Sequence, residues 1–253
     1  MLLAIDIGNT NIVVGTFDGD TLVHSWRLST RREMTSDEIQ VLFRALLGEA
    51  LPRIDDAIVA SVVPPLTGAV VAATRAACGV EPLEVQPGIR TGLRIRTDNP
   101  QEVGADRILN AAAAHKRYPG TSIVVDFGTA TTLDVVTAEG DYLGGVICPG
   151  PNLGLEALSA RAARLPRVDL QVPARVIGRN SIDAIRAGVV HGHAAMVEGL
   201  VRRIEAELGA PAKVVATGGL APLIGPLMER LDAIDPDLTL HGLLLLHARN
   251  RAR

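Results

Sequence analysis

An Asp-x-Gly step followed by small polar residues occurs twice in this chain. The copies are Asp6-Ile7-Gly8-Asn9-Thr10-Asn11 and Asp126-Phe127-Gly128-Thr129-Ala130-Thr131-Thr132. The two aspartates are 120 residues apart, and so are the two glycines. Glycine lets a backbone approach a phosphate closely, and Asn and Thr side chains with free N–H groups bind its oxygens. An acid beside a phosphate implies a cation between them, because two anions in contact repel. A third set, Gly104-Ala105-Asp106-Arg107, begins a predicted helix. A helix start offers N–H donors to an anionic substrate, and Arg107 adds a fork that suits a carboxylate or phosphate. Asp106 is placed to accept the proton of a substrate hydroxyl. In phosphoryl transfer the transition state is loose, so such a base mainly orients the nucleophile, and an ordinary Asp pKa of about 3.9 is no obstacle. Plainer readings stand beside these: a strand pair closed by an Asx-type turn, and an acid that complements a helix dipole.

The elements that must carry these residues follow from the pattern around them. Each Asp-x-Gly step sits between two β-rich runs, Leu3 to Phe17 and Ile123 to Val136, and each second run ends at a Gly among acids. Run, tight polar turn and returning run predict a hairpin. A third strand is expected over Thr21 to Leu28. Thr35-Ser36-Asp37-Glu38 then opens a helix with apolar residues at Ile39, Leu42, Phe43, Leu46 and Leu47. Ala57 to Val63 reads as a buried strand stopped by Pro64-Pro65, and Leu66 to Cys78 as a helix. A short strand over Glu84 to Gly88 and an Asn99-Pro100 turn lead to an Ala-rich helix from about 105 to 116. Tyr118-Pro119-Gly120 is the best linker, dividing the chain into domains 1–117 and 118–253. The second half repeats the plan. Helices are predicted over 152–163, 181–208 and 243–249, with a strand over 213–216. Strands alternating with helices suit the α/β class.

Composition narrows the function. The chain has 253 residues, 47% hydrophobic, so a sizeable core forms without disulfides. Aromatic residues make up only 2%, which argues against the stacking platforms of single-strand nucleic-acid binders. A net charge of −3 provides no basic field for a polyanion, so no nucleic-acid partner is expected. Two isolated cysteines, Cys78 and Cys148, suggest a reducing compartment. The N-terminus lacks a signal-peptide pattern and no apolar run approaches about 20 residues, so a cytoplasmic protein without membrane attachment is expected.

Other residues carry weaker signals. Gly144-Gly145 and Pro149-Gly150 flank a short apolar strand, either as turn punctuation or as a close approach to a ligand. Thr217-Gly218-Gly219 follows a strand, where a glycine pair can pass near a nucleotide. His191-Gly192-His193 suggests a metal, but on a helix neighbours two apart face different sides, which favours a structural role. Trp26 reads as core. No Walker, dinucleotide-binding or Gly-x-Ser-x-Gly motif is present.

Taken in order, these segments resemble the type III pantothenate kinases of the actin/acetate-and-sugar-kinase/Hsp70 superfamily. The resemblance rests on Asp6 to Asn11, Ser61-Val62-Val63-Pro64, Asp98-Asn99-Pro100 leading to Val103 through Arg107, and Asp126 to Thr132. It continues through Gly144 to Gly150, Asn180-Ser181 with Ala184-Ile185, Thr217 to Gly219, and Asp235 to Leu240. It implies two ribonuclease H-like domains with the ATP cleft between them. The implied reaction is ATP-dependent phosphorylation of pantothenate to 4′-phosphopantothenate, the first step of coenzyme A synthesis. On this resemblance Asp6, Ile7, Gly8, Asn9, Thr10, Asn11, Ile12 and Val13 would line the ATP phosphates. Thr129, Gly218 and Gly219 would touch ATP as well. Asp106 would be the proton acceptor. Gly104, Ala105, Asp106, Arg107 and Ser181 would bind pantothenate, and Asp126 would hold a monovalent cation, K⁺ or NH4⁺. Mg²⁺ would accompany ATP. A homodimer and insensitivity to coenzyme A are implied too. Thr97 stands where many members carry a substrate-contacting Tyr, and Ser181 where members often have Thr. Two other readings keep the fold: a catalytically silent nucleotide-binding regulator of transcription, and a phosphatase or kinase of another small alcohol.

Overall fold

Residues 1–162 and 165–251 are described in the computed structural model. The chain opens with an antiparallel meander of β1 (Leu2–Ile7), β2 (Asn11–Asp18) and β3 (Thr21–Ser29). Helix α1 (Ser36–Leu47) starts at a capping box: Thr35 Oγ1 accepts from the Glu38 N–H, and the Glu38 carboxylate accepts from the Thr35 N–H. Its Ile39, Phe43 and Leu47 are buried at helical spacing. Strand β4 (Asp56–Ser61) then pairs parallel to β1, and helix α2 (Pro64–Cys78) follows. Prolines 64 and 65 therefore open α2, two residues before the predicted start, because the first helical positions need no N–H donor. With β5 (Leu83–Glu84) the first sheet has the order β3-β2-β1-β4-β5.

The chain next adds β6 (Arg94–Ile95), helix α3 (Ala105–Arg117) and a second meander, β7 (Ser122–Phe127), β8 (Ala130–Val136) and β9 (Asp141–Pro149). Helices α4 (Pro151–Arg161) and α5 (Ser181–Leu208) come next. Then follow β10 (Lys213–Thr217), α6 (Ala221–Ile224), β11 (Ala233–Ile234) and α7 (Leu238–Arg251). Strand β10 pairs parallel to β7, and the second sheet runs β11-β10-β7-β8-β9-β6. Its β9-β8-β7-β10 core repeats the β3-β2-β1-β4 order of the first. The duplicated hairpins thus occupy equivalent places in two equivalent sheets, a mixed α/β architecture with one copy of the motif per sheet.

The two compact units are discontinuous in sequence. One comprises Met1–Leu93, Asp98–Ala113 and Leu238–Arg253, the other Arg94–Thr97 and Ala114–Asp237. The expected division into 1–117 and 118–253 differs from this at 94–97 and 114–117, and most at the last helix, which returns to the first unit. The reason is burial. Leu2, Ala4, Phe17, Ile58 and Ala60 form an apolar sheet face, and Leu109 and Ala112 of α3 with Leu240, Leu243 and Leu246 of α7 cover it. Helix α7 begins five residues before the predicted 243. Gly242 interrupts its apolar pattern because a Cβ there would lie 2.4 Å from the Leu109 carbonyl oxygen, so α3 and α7 meet backbone to backbone. Thr239 Oγ1 also donates to Asn110 Oδ1 at 2.7 Å. The second unit has its own core, where Val197 and Val201 of α5 pack against Ile123, Val125 and Leu133. Trp26, expected in the core, is half-buried on β3 and stacks on His24.

Candidate active site

Asp6 lies next to the end of β1, and the turn after it is closed by a Gly8 N–H to Asn11 carbonyl bond of 2.9 Å. Asn9 and Thr10 are exposed at its tip. A Cβ on Gly8 would stand 3.0 Å from the Asn11 carbonyl, so the tight turn favours glycine. Two residues that sequence reasoning missed brace this turn. Thr30 Oγ1 donates to the Gly8 carbonyl at 2.7 Å, its N–H donates to the Thr10 carbonyl, and Arg32 Nη2 reaches Asn9 Oδ1 at 3.4 Å. Only the β2–β3 pairing brings them there, and no local pattern announces it.

Asp106 is the second residue of α3. Its Oδ1 accepts from the Arg107 N–H at 2.8 Å and curls back over Gly104, where a Cβ would lie 2.5 Å from it. Glycine at 104 therefore sets the position of the carboxylate. The same absent Cβ would be 3.9 Å from Val62, whose N–H donates to the Ile7 carbonyl at 3.0 Å. The start of α3 thus stands at the end of β1 beside the first hairpin, and Asp6, Val62, Gly104 and Asp106 gather within one unit. Ahead of them Asn99 accepts from the Gln101 N–H and donates to Glu102, fixing the Asn99-Pro100 turn.

The second unit builds a corresponding set. Asp126 lies next to the end of β7, and Gly128 N–H donates to the Ala130 carbonyl at 3.0 Å. Gly150 passes so close that a Cβ would lie 2.3 Å from the Thr129 carbonyl. Gly218, at φ +90°, leaves room for Asp126: a Cβ there would meet Asp126 Oδ1 at 2.3 Å. Gly145 likewise lies against the β8 backbone, with Leu133 O 1.9 Å from a Cβ position. Gly145 and Gly150 are thus demanded by close backbone approach. Asp126 and Gly218 are brought together, and Ser181 is the exposed first residue of α5, next to the Asn180 cap. Thr97 packs its methyl beside Gly144, and its Oγ1 is buried without a hydrogen-bond partner.

His193 is buried, with Nε2 2.8 Å from Thr131 Oγ1 and its ring against Phe127. Burial pushes its pKa below the usual imidazole value. For His193 this is the structural role expected. Among the described residues no group of three or more His, Cys, Asp or Glu is arranged to hold a metal ion, and no helix is long and apolar enough to cross a membrane.

The sequence profile of the type III pantothenate kinase family matches residues 2–203. The chain belongs to the type III pantothenate kinases. A type III pantothenate kinase of Moorella thermoacetica is 49% identical over 253 residues, covering 99% of this chain and 100% of that protein. ATP-dependent phosphorylation of pantothenate in coenzyme A biosynthesis is the activity of the family, and its members are phosphotransferases. Solved structures share the fold. The crystal structure described as a conserved putative Baf family transcriptional activator from Campylobacter jejuni has a TM-score of 0.62. It is 20% identical and covers 98% of each chain. The ROK hexokinase of Thermus thermophilus has a TM-score of 0.51 at 14% identity, covering 97% of each. These two likenesses carry the fold alone. The type III pantothenate kinase reading and the paired Asp-x-Gly hairpins converge on one class of chemistry.

Proposed function

We propose that this type III pantothenate kinase transfers the γ-phosphoryl group of ATP to the pantothenate hydroxyl with Asp106 as proton acceptor. The hydroxyl oxygen forms the new bond to phosphorus, the bond from phosphorus to the departing ADP oxygen breaks, and the hydroxyl proton passes to Asp106. The observation that carries this reading is the Asp106 carboxylate, held over Gly104 at the start of α3 beside the first hairpin. Because the transition state is loose, positioning matters more than basicity. Arg107 and the N–H groups of Gly104 to Arg107 suit the pantothenate carboxylate, and Ser181 supplies a further hydroxyl. Thr97 would be a pantothenate contact in place of the Tyr that many members carry.

On the nucleotide side, Asp6 to Val13 line the ATP phosphates, Thr129 adds a hydroxyl contact, and Gly218-Gly219 pass along the adenosine. Magnesium bound with ATP spreads the phosphate charge. Asp126 holds a monovalent cation, K⁺ or NH4⁺. The fit is supported by Gly218, whose missing Cβ leaves the carboxylate its space, and by the orphaned hydroxyl of Thr217. The enzyme works in the cytoplasm as a homodimer. Exposed apolar side chains at Leu143, Ile147, Leu153, Val176 and Ile177 of the second unit support a second copy as the partner.

The test is ADP release with pantothenate and magnesium-ATP, first in potassium and then in sodium buffer. Pantothenate-dependent turnover is expected in potassium. ATP binding without turnover in either buffer overturns the reading in favour of a silent regulator.

A further inference from the structure

The two hairpins are built alike, but their aspartates have different neighbours. Asp6 is in register with Val13 on β2 and Ala60 on β4. Asp126 is in register with Thr132 on β8 and Thr217 on β10. Residues directly opposite on adjacent strands project from the same face of a sheet. Asp6 therefore stands in a row between two hydrocarbon side chains, and Asp126 in a row between two hydroxyls.

Both hydroxyls keep lone pairs that no group among the described residues uses. Thr217 is 1% exposed and its Oγ1 has no hydrogen-bond partner. A buried polar atom left so is unfavourable until something satisfies it. Thr132 Oγ1 donates to Asp134 Oδ2 at 3.0 Å, while Asp134 Oδ1 accepts from the Tyr142 hydroxyl at 2.6 Å. Asp134 and Tyr142 are 1% and 0% exposed, so this pair is a fixed anchor inside the sheet. A hydroxyl whose proton is committed to a carboxylate has only lone pairs to offer elsewhere. On the β10 side Gly218 gives the Asp126 carboxylate its room.

The donor set in this row is one carboxylate and two neutral oxygens. That charge suits a monovalent ion that sheds its water, whereas Mg²⁺ keeps several waters and asks less of the protein. The Asp6 row, with no second oxygen on its strand neighbours, matches the latter. Resting on the reading of Asp126 as the cation residue, we infer that Thr217 and Thr132 are further oxygen ligands of the monovalent cation. Asp134 and Tyr142 act as positioning residues that turn the Thr132 lone pairs toward it.

The test is binding rather than turnover. Thermal unfolding is followed against potassium at constant ionic strength, with choline as the replacement and a magnesium-bound non-hydrolysable ATP analogue present. In the wild-type protein potassium raises the unfolding temperature, and Asp126→Ala abolishes the rise. Thr217→Val raises half-saturating potassium at least about tenfold, the scale of one lost polar ligand. Thr217→Ser stays near wild type. Without potassium, Thr217→Val unfolds no lower than wild type, because it removes an orphaned hydroxyl, whereas a purely structural hydroxyl would leave the variant less stable. Thr132→Val is a second variant with the same expected loss. Unchanged half-saturation in both Val variants, with Asp126→Ala silent to potassium, overturns the inference and leaves Asp126 as the cation residue. A wild-type-like titration in Asp126→Ala, or no potassium response in the wild-type protein, overturns the Asp126 reading and the inference with it.

Discussion

The Asp106 carboxylate occupies the space that a side chain on Gly104 would fill, with Oδ1 2.5 Å from that Cβ position. Gly104 is not in the left-handed region of φ, so alanine there costs little backbone strain. Gly104→Ala should therefore act through Asp106 and not through folding. The expected result is a fall in kcat approaching that of Asp106→Asn, roughly 10²–10⁴-fold for a positioned base, with the KM for ATP little changed. Steady-state kinetics beside a melting curve check it. Full activity in Gly104→Ala would show that the carboxylate position is unimportant.

Gly242→Ala should destabilise the protein without touching the chemistry. The new Cβ would meet the Leu109 carbonyl at 2.4 Å, and neither helix can yield without exposing the sheet face that α3 and α7 cover. A loss of about 1–3 kcal/mol, as for overpacked cores, is expected in urea unfolding. An unchanged midpoint would mean that α7 does not pack this closely.

Asp141 ties the 94–97 segment to β9. Arg94 Nε and Arg96 Nε both donate to its Oδ1, at 2.6 and 2.8 Å, and hold its pKa down at about 2. A lowered folded pKa favours the charged form. Its stabilisation is complete above the ordinary value near 4 and is lost as pH falls toward 2. Melting temperatures of wild type and Asp141→Asn should differ above pH 4 and converge near pH 2. Parallel curves across that window would assign the ion pairs no role.

His193 should work in the opposite part of the scale. Burial lowers its pKa, so the neutral ring that pairs with Thr131 is the favoured form. The stabilisation is present above about 6.5, the unfolded value, and is lost as pH falls through the folded value. His193→Gln should flatten the stability profile below pH 6.5. Retention of the wild-type acid slope in that variant would point to another group.

Much was legible in the chain itself. The Asp-x-Gly hairpins, α5 from 181 to 208, the strand that ends at Thr217 and the Gly104 to Arg107 helix start are local patterns of apolar period, caps and turn residues, each written within a few positions. Their order carried the family as well. The tertiary structure decided what depends on distant partners. It sent α7 back to the first unit, because only there does a bare sheet face await Leu240, Leu243 and Leu246. It braced the first hairpin with Thr30 and Arg32. It also separated two aspartates that look alike in sequence, since strand register set Asp6 between Val13 and Ala60 but Asp126 between Thr132 and Thr217. A sequence specifies each strand by its own alternation, but the neighbour across the ladder comes from up to about ninety residues away, and only the folded sheet brings those side chains onto one face.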